Sequence, residues 1–522
     1  MVAASELPIN INASAIAMAN AIFGSGVSVQ SASYTGSSYS SGTYSNGNAV
    51  SGGVVPGDTG VILSTGSLRN FTDGSGQANS GGTKSTNSAG PNNQADFNAA
   101  AGTNTFDAAY LDVDFIPTGD TMTMQFVFSS EEYPEFANSV YNDLAMVWVN
   151  GSPVPLAVGD GQTAVGNIND SDNENLYIDN NNGDFNTEMD GFTVTMTLTM
   201  QVNPGVLNSI RIGVADVSDS VYDSNLLIAG DSIQTDLVAI EDEVTVSVGG
   251  TKTIDALAND ISPTGSVLTI TQINGVNVTA GQSVTLAQGQ IATLNANGTI
   301  TITTDTDVEE TNFTYTVEDT TTGNTDVGFV TVNTVPCFVA GTLIQTPFGE
   351  RRVEELTPGD MILTQDDGPQ PLRWIGTRAV AAVGNLAPIR IRAGTFGQHR
   401  DLLVSPQHRV LIRDSLADLL FGEAEVLVAA KDLVNDHSVR RIEGGEVTYV
   451  HLLFDRHQVI FSEGLPTESF LPGPQTSKAF EADILQEICT LFPELDPETG
   501  KGYSPSARRA LRAFEARLLL AA

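Results

Sequence analysis

Residues 334–346 read TVPCFVAGTLIQT, and Cys337 within them is the only cysteine in the first 488 positions. Before it the chain is Gly, Ser, Thr, Asn and Asp interspersed with Val and Ile, with Arg69, Lys84, Arg211 and Lys252 as its only basic residues. After it come the other 19 of the 23 Lys and Arg and all five histidines, His399, His408, His437, His451 and His457. Composition therefore changes at Cys337. A solvated β-type part gives way to one whose side chains titrate near neutral pH, so Cys337 either closes the first part or opens the second.

The whole chain has 522 residues, 62 Asp and Glu against 23 Lys and Arg, and a formal charge of -39. Its length fits three or four domains, each able to bury a core. Such an acidic surface excludes nucleic acid as a partner and favours solubility and cation binding. No stretch approaches the roughly 20 apolar residues that span a bilayer. The start, MVAASELPININASAIAMANAIFG, lacks the basic n-region and apolar core of a cleaved secretory leader. The acidic, Asn/Gly-rich composition points to a secreted or cell-surface protein exported by another route; a cytoplasmic protein is the alternative. Two cysteines, Cys337 and Cys489, define no disulfide framework.

Residues 1–237 open with INASAIAMANAIFGSGV, spaced as a helix closed by Gly24, and continue in alternating strand-like segments such as TMTMQFVFSSEEYPEF. This pattern predicts a β-sandwich. The segments GVILSTG, FVFSSEEYPEF, YNDLAMVWVNG and VADVSDSVYDSNLLI resemble the bacterial choice-of-anchor L family of surface proteins. Within them Glu131, Glu132, Asn142, Asp143, Asp216, Asp219 and Asp223 supply the oxygen ligands a hard cation such as calcium takes in numbers of about six to eight. Turn capping and loop solvation are the competing reading of the same residues. The run NINDSDNENLYIDNNNGDFN, residues 167–186, lacks the ordered spacing of an EF-hand and reads as a solvated loop.

Residues 238–336 give period-2 strands with a turn every eight to twelve residues, the pattern of an immunoglobulin-like sandwich. They resemble the cadherin-like repeats of large bacterial adhesins, with LANDISPTGSVLTI at the family's acidic turn. Ser262 and Thr264 stand where that turn carries acids, which argues against calcium there and for a spacer.

From Cys337 the chain reads CFVAGTLIQTPFGERRVEELTPGDMIL, then LLVSPQHRVLIRD at 402–414 and YVHLLFDRHQVIFSEGLPTESF at 449–470. These motifs resemble, in order, the Hedgehog/intein or Hint domain, in its bacterial PCFVAGTLI form, over residues 337–475. Cys337 thus opens a module. The resemblance implies an all-β, horseshoe-like fold in which the cysteine thiol attacks the carbonyl of the residue before it and turns the peptide bond into a thioester. It assigns His408 to protonation of the departing nitrogen and Ser405 to a hydrogen bond nearby. His457 and His451 become candidate proton carriers of the late block. His399 and His437 read as loop residues, and no close ligand pair marks a metal site in this domain.

A splicing intein ends in a His-Asn pair before a nucleophile, whereas here Gln458 follows His457; splicing is not expected. What remains is a single-turnover cleavage of the Pro336–Cys337 bond, resolved by water or an external nucleophile, with no cofactor. Pro336 crowds its own carbonyl and slows attack. The alternative is a non-enzymatic adhesion or matrix protein with an inert Hint-like domain. Residues 476–522 carry two helix-spaced stretches, the first placing Cys489 on one face with Leu485 and Phe492, the second starting at Ser504 and Pro505. The expected protein is therefore mainly β and multidomain: a sandwich, an Ig/cadherin-like sandwich, a Hint domain and short C-terminal helices.

Overall fold

The computed structural model describes residues 1–79, 84–137, 139–159, 161–246, 251–263, 265–304, 311–333, 337–382, 387–421, 423–435, 437–471, 492, 503–511, 516 and 519. Thr264, Pro336, Cys489 and nearly all of the first predicted C-terminal helix lie outside them. The protein is mainly β, and it divides into two compact units: 1–242, 253–301 and 311–331 form one, while 243–252, 302–310 and 332–522 form the other.

In the first unit the helix Ala15–Ile22 lies within the helix-spaced stretch and ends at Ile22, two residues before Gly24. Ser14 caps it, its hydroxyl accepting the N–H of Ala17 at 3.3 Å. Two sheets follow. The six-stranded sheet runs Val27–Thr35, Thr105–Pro117, Asn208–Val217, Leu144–Val149 and Ser152–Pro153, with Thr163–Ala164 also on Leu144–Val149. At the centre of the eight-stranded sheet Thr121–Ser130 pairs with Ser224–Ala229, Gly191–Thr193 and Met196–Gln201. Alternate residues face inward, so Leu111, Val113 and Phe115 share one core with Ile210, Ile212, Met124, Phe126 and Phe128. Burying each such side chain contributes about 1.5–3 kcal/mol. Further along, Leu268–Ile273 pairs antiparallel with Thr311–Asp319, and Ser283–Thr285 with Ile291–Leu294.

The run 167–186 departs from the solvated loop its composition predicts. Asn169, Asn175 and Asn180 are buried, and the side chains of Asn169 and Asn180 bond to backbone groups in the segment and just beside it. Asn180 donates to the carbonyls of Thr187 and Met189 and accepts from the N–H of Phe185. Polarity here satisfies a folded backbone rather than water.

In the second unit a six-stranded sheet runs Trp374–Ala381, Glu446–Leu453, Phe338–Val339, Leu402–Val404, Ile389–Ile391 and Val439–Arg441. A nine-stranded sheet takes Leu343–Thr346, Val459–Ser462, Leu465–Glu468, Arg409–Arg413 and Glu425–Ala429 among its members. Between them Phe338, Ile344, Val404, Val410, Val428, Val450 and Ile460 form one buried core. The second predicted C-terminal helix needs correction at its start. Arg509–Ala510 is a strand, parallel to Val426–Leu427 on the edge of the nine-stranded sheet. An open sheet edge offers backbone partners at once, whereas a first helical turn leaves four N–H groups unmade.

Candidate active site around Cys337

Cys337 sits immediately before the short strand Phe338–Val339, which lies between Leu402–Val404 and Glu446–Leu453. Phe338 pairs with Val404 on one side and Val450 on the other. That register sets Cys337 beside Ser405 and opposite His451. The Cys337 N–H donates to Ser405 Oγ at 2.8 Å, and the Ser405 N–H donates to the Cys337 carbonyl at 2.9 Å. Ser405 thereby holds the nitrogen of the Pro336–Cys337 bond from one side. The Cys337 Sγ lies 3.3 Å from His451 Nε2. The thiol is buried, 7 % exposed, among Val339, Ala382, Val447 and Tyr449.

The sequence SPQH makes the next contact local. His408 N–H donates to the Ser405 carbonyl at 3.0 Å, closing a turn with Pro406 at its second position, where proline's fixed φ belongs. The turn carries the His408 ring onto Phe338, with ring centroids 4.3 Å apart. Among the described residues neither ring nitrogen of His408 has a hydrogen-bond partner. Burial pulls its pKa down to about 4, so the imidazole is neutral at pH 7 and strongly acidic whenever it does gain a proton.

His457 is engaged differently. Its Nδ1 accepts the Ala507 N–H at 3.0 Å, which leaves the proton on Nε2, 3.1 Å from the Ser469 carbonyl and 3.5 Å from Glu468 Oε2. Its own N–H donates to Ser504 Oγ at 2.7 Å. Glu468 is fully buried and also accepts the Arg409 N–H at 2.9 Å. Burial alone would raise its pKa, but Arg409 and His457 outweigh that and hold it at about 2. Glu468 escaped the sequence reading; the signal was an acid inside the otherwise strand-like LPTESF. Tyr449 was missed too, because nothing local distinguishes a tyrosine in a buried strand from one beside a thiol. His437 is exposed, and His399 Nε2 accepts the Phe396 N–H at 3.2 Å in its loop.

Of the acids proposed for calcium, Glu131, Glu132, Asp143, Asp216 and Asp223 are all buried, and Asp219 is half-buried. They do not make one six-carboxylate site. Asp223 is tied to Asn70 and to the Thr86 N–H, while Asp143 accepts from the Val217 N–H and from Ser224 Oγ. Among the described residues no three His, Cys, Asp or Glu side chains already stand at metal-holding distances.

Comparison with known proteins matches three family models in chain order: a choice-of-anchor L domain at 9–234, a bacterial Ig domain at 234–333 and a Hint domain at 336–474. The second unit carries a Hint domain. Solved structures similar to the chain include the gp41-1 intein, at 11 % identity over 25 % of this chain and 97 % of that one, with a TM-score of 0.18. The MchDnaB-1 intein has 16 % identity over 25 % and 98 %, with a TM-score of 0.18. A search of curated proteins returned no match. Among the described residues no helix is long and apolar enough to cross a membrane.

Proposed function

We propose that the Hint domain cleaves the Pro336–Cys337 peptide bond in a single turnover. The observation that carries this reading is the bracketing of Cys337, its nitrogen held by Ser405 Oγ at 2.8 Å and its sulfur by His451 Nε2 at 3.3 Å. His451 takes the thiol proton as the sulfur attacks the Pro336 carbonyl. The C–S bond forms, the C–N bond breaks, and the departing Cys337 nitrogen gains a proton from the minor protonated form of His408, which returns to its neutral ring while His451 releases the thiol proton to solvent; a thioester and a free α-amine remain. Ser405 keeps that nitrogen in line; its hydroxyl does the work the family usually gives to threonine. Water or an external nucleophile then attacks the thioester carbonyl and regenerates the thiol.

With no asparagine after His457, cleavage rather than splicing is the outcome. The choice-of-anchor L domain supports a secreted or surface setting in which residues 1–336 are released from the Hint domain or attached to an acceptor. Intact-mass analysis of the full chain, with and without dithiothreitol, tests this. A fragment ending at Pro336, formed faster with thiol, supports the reading. Equal persistence of wild type and Cys337→Ser across pH 6 to 9 would sink it and leave an adhesion protein with an inert Hint domain.

A further inference from the structure

The end of the first sandwich buries more carboxylate than its own cations can balance. Residues 1–242 contain three basic side chains, Arg69, Lys84 and Arg211. Lys84 is paired with Asp73 and Glu188, and Arg211 with Asp96 and Asp112. Arg69 is exposed. None of these ion pairs reaches Glu132, Asp143, Asp216 or Asp219.

Strand register gathers those four acids. Leu144 pairs with Ala215, which sets Asp143 opposite Asp216 at the end of the six-stranded sheet. On Asn208–Val217 the pairing to Thr105–Pro117 slips between Val214 and Asp216, a bulge of the kind that re-aims a side chain. Asp216 follows Ile210, Ile212 and Val214 on the core-facing side, where a carboxylate has no packing reason to be. The other sheet closes the group: Ser224 Oγ donates to Asp143 Oδ2 at 2.7 Å and lies 2.8 Å from Ser130 Oγ, which in turn accepts the Glu132 N–H. The charge of Asp143 acts on Asp216, and Glu132 feels the charge of both Asp143 and Asp219.

Two of these side chains have oxygens without a partner among the described residues: Glu132 Oε2 and Asp216 Oδ1 are buried with no hydrogen bond there, in residues 1 % and 2 % exposed. Burial, followed by neighbouring carboxylates, pushes Glu132 up to about 9 and raises Asp216 well above the usual range. Such groups either hold protons or face a cation. The geometry points to the second: we propose that Glu132, Asp143, Asp216 and Asp219 bind one divalent cation of the calcium class. Ser224 and Ser130 stand beside them as neutral oxygens toward the six to eight calcium takes. Among the described residues these carboxylates do not already stand at metal-holding distances, so binding requires their side chains to rotate around the ion.

Terbium luminescence on the full chain tests this, because Tb3+ replaces calcium and is sensitised by nearby aromatic rings. The expected result is saturable emission, displaced by calcium chloride in 0.15 M sodium chloride, with affinity at least about tenfold weaker in Asp216→Asn and in Glu132→Gln. Asp120→Asn, at an exposed turn, should bind as wild type does. Both amide variants remove repulsion, so without calcium they should melt no lower than wild type at pH 8, which separates a lost site from a lost fold. Emission that is absent, or unchanged in both amide variants, overturns the proposal. So does a first transition that acid raises between pH 8 and pH 5 while calcium leaves it unmoved, because the carboxyls are then simply neutral.

Discussion

Cys337 and His457 mark two regions of one Hint domain that bury titratable groups in opposite ways. Around Cys337 the polar contacts converge on one peptide nitrogen and one sulfur, and His408 keeps both ring nitrogens without a partner among the described residues. Around His457 every polar atom of the ring is used, by Ala507, Ser469 and Glu468. A histidine whose nitrogens are already committed to backbone and carboxylate fastens the chain; one against a thiol, or with nitrogens to spare, can move a proton. Burial does not separate the two kinds, since all three imidazoles are inaccessible. Partners do.

That comparison is sharpened most by removing the nucleophile. Cys337→Ser should lower cleavage at least about a thousandfold, since a hydroxyl is a poor nucleophile near neutral pH. Time-resolved intact mass of the full chain reads this directly. Next in size is the thiol's base: His451→Gln should slow thioester formation by about a hundredfold to a thousandfold while the fold, followed by far-UV circular dichroism, stays intact. His408→Ala should cost about a hundredfold if it protonates the departing nitrogen. Unchanged cleavage would remove it from the mechanism.

The cluster of His457, Glu468 and Arg409 should answer differently. Glu468→Gln breaks a buried contact to Arg409 and His457 and should destabilise the Hint domain by about 3 kcal/mol, measured by urea unfolding. Cleavage per folded molecule should stay within about threefold. If Glu468→Gln instead abolishes cleavage in folded protein, the distinction between the two regions collapses.

The last effect is one of pH. His408 has a folded pKa depressed from 6.5 to about 4 by burial, so the folded state prefers the neutral ring. Its contribution is fully present above pH 6.5 and is lost as pH falls from 6.5 towards 4, by up to about 3 kcal/mol. Glu468, held at about 2, loses its contribution only below about pH 4.5, so the two windows separate. His408→Phe should flatten stability between pH 6.5 and 4.5, and an unchanged slope would show that another group titrates there.

Sequence alone determined the β class, the order of modules and Cys337 as the start of the last one. Those depend on alternation, turn residues and motifs, all of which act over a few neighbouring positions. It also placed a helix within INASAIAMANAIFGSGV, because apolar spacing is a local signal, while the structure supplied its bounds and its Ser14 cap. Tertiary structure decided which late histidine meets the thiol. His451 and His457 are six positions apart, yet one belongs to Glu446–Leu453 in the six-stranded sheet and the other precedes Val459–Ser462 in the nine-stranded sheet. Only the pairing of Phe338 with Val450 brings His451 to Cys337. The same holds for Arg509–Ala510, a helix by spacing and a strand because the edge at Val426–Leu427 supplies its partners. It holds equally for Asp143 and Asp216, candidate cation ligands by residue type in the sequence, which become an uncompensated pair only when strand register places them face to face in a core. Hydrogen-bond partners and desolvation are set by residues far away in the chain, so no local pattern records them.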